Sequence, residues 1–124
     1  MPDVVVTVSH YITLDEWLAE RDLLGLSRSD TERIFPLYGK LPDMQPGDRV
    51  YFTYRGKLRG YLPFARVETV ENRAHHLFFG RFALIGRGEI VAVTVPEPIQ
   101  GFARWRYRWW DRKDEKPFPD WQKV

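Results

Sequence analysis

Arginine and aromatic side chains alternate along residues 104–110, a pattern that could bind nucleic acid. The segment reads Arg-Trp-Arg-Tyr-Arg-Trp-Trp. Guanidinium groups pair with phosphate oxygens and flat rings stack on bases, as single-stranded nucleic acid requires. As a strand, the aromatic residues up to Trp109 share one face and the arginines share the other, whereas as a helix Arg104, Arg108 and Arg112 form one stripe. The aromatic content favours the strand.

The doubled tryptophan at residues 109 and 110 interrupts this alternation. On a strand, neighbouring side chains point to opposite faces, so one ring must lie outside the core. Trp109 shares its face with Trp105 and Tyr107, and we expect it to be the buried ring. Trp110 is then the partly exposed ring that stacks on a base or lines the pocket.

Positive charge is concentrated in the same half of the chain. Residues 49–112 hold 12 basic and 5 acidic side chains, whereas residues 1–48 hold 4 basic and 9 acidic ones. A basic section interleaved with aromatic residues predicts contacts with phosphates and bases. The predicted nucleic-acid contacts are Arg49, Arg55, Lys57, Arg59, Arg66, Arg104, Arg106, Arg108 and Trp110.

Motifs for catalysis or metal binding are missing from the sequence. It has no cysteine, no His-Glu-x-x-His, no Gly-x-Ser-x-Gly and no phosphate-binding loop of Walker spacing. His75 and His76 are adjacent, so on a strand they cannot both reach one metal ion. We therefore assign no catalytic residue, metal ligand or cofactor, and we expect a binding module rather than an enzyme.

The first half of the chain predicts one strand and one helix. Val4 to Val8 form a β-branched run typical of a buried strand. Thr13 and Glu16 have the spacing of a capping box, and apolar residues at helical spacing predict a helix over residues 14–24. Residues 27–46 contain three prolines and predict mostly loop, with one helical turn near residues 29–34.

The second half predicts a run of strands separated by glycine turns. Residues 49–55 alternate as a strand, Gly56 and Lys57 fit a two-residue hairpin loop, and Gly60 and Pro63 predict a bulge or bend in the following strand. Further strands are predicted over residues 77–85 and 89–95, the latter apolar on both faces and therefore central. Residues 113–124 predict a tail held by Phe118 or Trp121.

One hairpin resembles that of a known superfamily. Pro46-Gly47-Asp48-Arg49-Val50-Tyr51-Phe52, followed by Gly56 and Gly60-Tyr61, is similar to the hairpin of the PUA-like superfamily, which includes the PUA, ASCH and EVE branches. The resemblance implies a single domain over residues 1–124, mainly β with one main helix (α+β), built as an antiparallel pseudo-barrel. The Gly-x-Lys-x-x-Glu-x-Arg signature of the ASCH branch is absent, which leaves the branch open.

The resemblance also suggests what the protein binds. PUA-like domains typically bind RNA, and the EVE branch is associated with pockets for a modified base. Pocket candidates by chemistry and position are His10 and Tyr11, which follow the first strand, and Trp17 on the predicted helix. We expect a non-catalytic module for RNA or for a modified base in RNA or DNA. The alternatives are a small nucleoside amidohydrolase or nuclease, and a protein-interaction domain.

The expected location is the cytoplasm. No apolar run is long enough to cross a membrane, and the first residues lack the basic start of a signal peptide. The partner expected there is nucleic acid, with RNA favoured, and neither a membrane nor a metal ion.

Overall fold

The computed structural model describes residues 3–8, 13–19, 22–23, 26–27, 32–38, 40–69, 81–102 and 104–123. These residues form one α-helix, ten strands and a short 3-10 helix. In chain order the elements are β1 (Val4–Thr7), α1 (Leu14–Ala19), β2 (Asp22–Leu23), β3 (Leu26–Ser27), β4 (Glu32–Tyr38), β5 (Arg49–Tyr54), β6 (Lys57–Thr69), β7 (Arg81–Arg87), β8 (Val93–Thr94), β9 (Arg106–Tyr107), the 3-10 helix (Arg112–Asp114) and β10 (Lys116–Pro117).

Six of the strands form one mixed sheet in the order β4-β7-β6-β5-β1-β9. The predicted first strand is confirmed: β1 is buried and pairs in parallel with β5, with Val4 opposite Val50. A parallel pair needs a crossover connection, and this one contains α1. The expectation of a mainly β fold is confirmed, and the described residues contain one short α-helix. In the described residues the sheet is not a closed barrel, because β4 and β9 are its two ends.

Helix α1 begins where the capping box predicts. The Glu16 backbone N–H donates to Thr13 Oγ1 at 3.0 Å, and the Thr13 hydroxyl donates to Glu16 Oε1 at 3.2 Å. The predicted end at residue 24 is wrong, because Asp22–Leu23 is a strand that pairs with β3. The apolar stripe of the helix stops at Leu18, so its face offers nothing further to bury.

Strand β4 replaces the loop and helical turn predicted within residues 27–46. It pairs with β7 along its whole length, from Glu32 opposite Arg87 to Tyr38 opposite Arg81. Its buried Ile34, Phe35 and Leu37 stabilise a strand here. Pro36 lacks an N–H, and its place in a strand at the end of the sheet order tolerates that loss.

The Pro46-Gly47-Asp48 turn leads into β5. The fully buried Asp48 accepts the Gln45 backbone N–H on Oδ2 at 2.8 Å, and its own backbone carbonyl accepts the Phe64 N–H at 2.9 Å. Gly47 has a φ of +101°, which a residue with a side chain rarely adopts. The motif that carries the PUA-like resemblance therefore fixes this turn and joins it to β6.

The β5–β6 hairpin turns at Arg55 and Gly56, one residue earlier than predicted. Both have positive φ values, of 48° and 82°, as a two-residue hairpin loop of the primed type requires. The predicted irregularity in the second strand is confirmed by two shifts of register, opposite Phe52/Thr53 and between Phe64 and Arg66. They let one long strand pair with β5 and then with β7.

The central strand predicted over residues 89–95 is wrong. Val91 makes one isolated bridge to Tyr61, and only Val93–Thr94 forms a strand, paired with β10 outside the main sheet. Gly88 turns the chain with a φ of +114°, and the segment then lies across β6, so Val91 is 42% exposed. Of the strand predicted over residues 77–85, residues 81–85 lie in β7 and residues 77–80 lie outside the described residues.

Both faces of the sheet are covered by apolar side chains. One cluster includes Val4, Trp17, Phe52 and Leu84, and Trp121 of the tail packs on it. The other includes Val5, Tyr51, Leu58, Ile99 and Trp110. None of the described helices is long and apolar enough to span a membrane.

Candidate nucleic-acid interface

Several arginines predicted to bind phosphate hold the fold together instead. Arg59 is only 3% exposed and donates to the backbone carbonyls of Tyr54 at 3.0 Å, Trp121 at 3.1 Å and Lys123 at 2.6 Å. Burial lowers the pKa of this guanidinium below its usual value. Arg59 therefore clamps the tail, and its burial removes it from the accessible surface.

Arg49 belongs to a polar cluster around Glu115. The Glu115 carboxylate accepts from the Arg49 guanidinium at 3.2 Å, the Tyr51 hydroxyl at 2.5 Å and the Trp110 indole Nε1 at 2.9 Å. Burial, and then the bond to Glu115, raises the pKa of Tyr51, so its hydroxyl stays protonated and donates. The Arg49 guanidinium also lies over the Tyr61 ring, at 4.2 Å.

Arg108 is paired with the buried Asp3. Its Nε lies 2.9 Å from Asp3 Oδ2, and the Arg112 Nη2 lies 2.8 Å from the same oxygen. Burial opposes ionisation of Asp3, but hydrogen bonds from the Arg49 backbone N–H and the two guanidinium groups outweigh it, so the pKa of Asp3 is lowered. The pair ties the start of β1 to the segment that follows β9.

Arg66 is paired with two carboxylates. It donates to Glu32 Oε2 at 2.6 Å and to Glu68 Oε1 at 2.8 Å, and Arg87 also donates to Glu32. The bond from Arg66 is the main cause that lowers the pKa of Glu32 to about 2. This network joins β4, β6 and β7, so much of the positive charge counted in the sequence is neutralised.

The other predicted cations lie at the surface. Arg55, Lys57, Arg104 and Arg106 are all exposed. The Arg106 guanidinium lies 4.9 Å from the Phe102 ring centre, and that of Arg55 lies 5.3 Å from the ring centre of Tyr54. Both guanidinium groups thus lie at the surface, each beside an aromatic ring.

The predicted roles of the two neighbouring tryptophans are reversed. Trp109 is 46% exposed, whereas Trp110 is 7% exposed and packs edge-on against Tyr51, with ring centres 5.2 Å apart. The alternation fails because β9 ends at Tyr107. Arg108 then turns toward Asp3, and Asp111 caps the 3-10 helix through the Lys113 N–H. Trp110 is accordingly a core residue, and Trp109 is the accessible ring.

Trp109 and its neighbours form what we call the Trp109 surface, made of Phe102, Arg106 and Trp109. The Trp109 ring lies 6.5 Å from that of Phe102 in an edge-on arrangement. Its Nε1 donates to Glu97 Oε1 at 3.1 Å. An accessible indole, a second ring and a guanidinium therefore lie together.

Glu97 connects the Trp109 surface to a cleft of about 460 Å³, which we call the Glu97 cleft. The side chains that line the cleft include two cations, one carboxylate and one aromatic ring. The rest of its wall is apolar and formed largely by backbone. Its lining residues are Arg55, Gly56, Lys57, Thr94, Val95, Pro96, Glu97, Pro98 and Phe118. A second cleft of about 400 Å³ shares Val95, Pro96 and Glu97 and adds Trp110, Lys113, Asp114 and Lys116. Sites of this kind can hold a flat, partly apolar ligand that carries negative charge.

The predicted base pocket near the first loop is not brought together in the described residues. His10 and Tyr11 lie outside them. Trp17 is buried and packs on Phe35 and Phe52, with ring centres 5.8 and 4.8 Å away. It is a core residue of α1. The described residues contain no group of three or more His, Cys, Asp or Glu side chains that could hold a metal ion.

Three residues of the candidate site are not among the predicted contacts: Glu97, Phe102 and Phe118. Glu97 lies between two prolines and Phe118 lies between two more, a spacing that restricts the backbone on both sides. Such rigid Pro-x-Pro segments could have marked the walls of a cleft. That they meet at the hairpin turn depends on the pairing of β8 with β10, which the sequence does not reveal.

Comparisons of this chain with family models, with curated proteins and with solved structures give no match.

Proposed function

We propose that this protein binds single-stranded nucleic acid, with RNA favoured, through the Trp109 surface and the adjoining Glu97 cleft. The observation that carries the proposal is the accessible Trp109 ring, which is hydrogen-bonded to Glu97 at the rim of a cleft lined by Arg55 and Lys57. Rings that stack on bases, beside cations that neutralise phosphates, are what single strands require.

RNA is favoured because the hairpin that begins at Pro46 resembles that of PUA-like domains, which typically bind RNA. The order strand, helix, run of strands supports the same assignment, as does the long β6, which bends at two register shifts and pairs with strands on both sides. We therefore include a PUA-like pseudo-barrel in the proposal.

The ion pairs described above limit how many cations are expected to contact phosphates. Arg49, Arg66 and Arg108 already pair with carboxylates, and Arg59 is buried. With about three cations engaged, chiefly Arg55, Lys57 and Arg106, the logarithm of the binding constant should fall with the logarithm of salt concentration at a slope of about −2 for a single strand.

The proposal is tested by fluorescence anisotropy with labelled single-stranded RNA and DNA of mixed sequence over a range of salt. Lys57→Glu should weaken binding about tenfold or more and make the slope shallower. Lys40→Glu is the matched control, because Lys40 is exposed and lies outside both clefts. The proposal would be refuted by an absence of binding at low salt, or by equal effects of the two variants.

A further inference from the structure

We propose that the Glu97 cleft selects guanine, an inference that rests on the nucleic-acid binding proposed above. Glu97 is the one carboxylate among the nine residues that line the cleft. A carboxylate at a surface that must attract phosphates weakens general affinity. A role in selecting one base would explain its place beside Arg55 and Lys57.

One oxygen of the exposed Glu97 carboxylate is hydrogen-bonded to a neighbouring side chain. Its Oε1 accepts from the Trp109 indole Nε1 at 3.1 Å, and the Oε2 has no hydrogen-bond partner among the described residues. The backbone is restricted on both sides, by Pro96 and Pro98. An acceptor with one intramolecular hydrogen bond, on a segment whose backbone is restricted by two prolines, is suited to reading the edge of a base, because less freedom is lost on binding than for a side chain without such a bond.

The cleft can also position the rest of a nucleotide. The Phe118 ring lines the wall, and the Phe118 backbone N–H donates to the Ala92 carbonyl at 3.0 Å, which fixes that wall on the body of the protein. Lys57 lies on the same cleft and supplies positive charge for a phosphate. The cleft volume of about 460 Å³ lies within the range of sites that bind small molecules.

The chemistry of an ionised carboxylate decides which base fits. It only accepts hydrogen bonds. On its Watson–Crick edge guanine presents two adjacent donors, N1–H and the N2 amino group. The edges of cytosine and adenine each place an acceptor nitrogen beside their amino group, and uracil flanks its one donor with two carbonyl oxygens. Guanine is therefore the base that can donate hydrogen bonds to Glu97 from two neighbouring groups without placing one of its own acceptor atoms against the carboxylate.

The test uses labelled heptauridylates whose central base is guanine, cytosine, adenine or uracil, with binding measured by fluorescence anisotropy. We expect the guanine oligonucleotide to bind about tenfold more tightly than the uracil one, at the lower end of what a specific base contact contributes. In Glu97→Gln the amide oxygen can still accept from Trp109, which turns the NH2 group toward the cleft. This NH2 group would face the N–H donors of guanine and could not accept hydrogen bonds from them. The preference for guanine over uracil should therefore fall to about twofold or less.

Two further variants make the result specific. Glu89→Gln removes the same charge from an exposed carboxylate outside both clefts and should keep the preference. Trp109→Phe keeps a ring but removes the N–H that orients Glu97, and it should reduce the preference for guanine more than the affinity for the uracil oligonucleotide. Because Glu97 is exposed, these changes should leave the circular dichroism melt unchanged.

The outcomes separate this inference from the function on which it rests. Equal binding of all four oligonucleotides, or a preference that persists in Glu97→Gln, would overturn the selection of guanine and leave nucleic-acid binding in place. Binding of none of them would overturn both.

Discussion

Replacing each of the two adjacent tryptophans by alanine should separate folding from binding at neighbouring positions. Trp110 is 7% exposed, packs on Tyr51 and donates its indole N–H to Glu115. Trp110→Ala removes a large buried ring and leaves a cavity beside Tyr51. The cost in free energy of unfolding should be about 3–5 kcal/mol, the range for buried aromatic residues.

Trp109→Ala should affect binding instead. The ring is 46% exposed, and its one hydrogen bond is to the exposed Glu97. The ring also packs edge-on against Phe102 and Trp110, so the loss in stability should be about 1–2 kcal/mol, less than for Trp110→Ala. If the ring stacks on a base, its removal should weaken binding by about 1–3 kcal/mol, which is roughly 5- to 150-fold.

The assay combines urea unfolding, followed by far-ultraviolet circular dichroism so that loss of an indole does not alter the probe, with anisotropy titration of labelled single-stranded RNA. Binding by Trp110→Ala is measured at a temperature where the variant is folded. Because the Trp110 ring packs edge-on against that of Trp109, with ring centres 5.1 Å apart, its loss should weaken binding, but less than the loss of Trp109 itself. Unfolding of the protein by Trp109→Ala but not by Trp110→Ala would contradict the assignment of Trp110 to the core. Binding by folded Trp109→Ala as tight as that of the original chain would contradict the role of the Trp109 ring.

Two further predictions concern stability. The hydrogen bond from Arg66 lowers the pKa of Glu32 from 4.5 to about 2, so its ionised form stabilises the fold above about pH 4.5, and this contribution is lost as the pH falls toward 2. In urea titrations the protein should exceed Glu32→Gln in stability by about 2–3 kcal/mol at pH 7 and by much less near pH 2.5; a gap that does not change with pH would contradict the assignment. Gly60→Ala places a Cβ 2.7 Å from the Val91 carbonyl oxygen and should cost about 1–3 kcal/mol in a thermal melt, whereas Gly101→Ala meets only the Thr7 methyl at 3.2 Å and should cost less.

Local sequence patterns correctly predicted those helices and strands whose structure is determined by residues close together in the chain. The β-branched run of β1, the capping box of α1 and the irregular β6 could be recognised because their signals lie within a few residues. Strand β4 could not, since its stability comes from pairing with β7 about fifty residues away, and this pairing overrides the weak propensity of a segment that contains Pro36.

The same distinction explains the errors in the predicted site. The sequence shows how many arginines there are. It does not show that Arg108 pairs with Asp3, 105 residues away, or that Arg66 pairs with Glu32, 34 residues away. Alternation correctly predicted that one of the two tryptophans is exposed. The prediction chose the wrong tryptophan as the exposed one, because it assumed that the strand continues beyond Tyr107.

Ultraviolet cross-linking of the protein to single-stranded RNA, followed by mass spectrometry of the digested adduct, identifies the side chains that contact the bases. Rings in contact with bases form covalent adducts, and fragment spectra identify the modified residue. We predict adducts on Trp109, with Phe102 or Phe118 as further sites, and none on the buried Trp110 or Trp17. Adducts confined to residues outside the Trp109 surface and the Glu97 cleft would contradict the proposed interface.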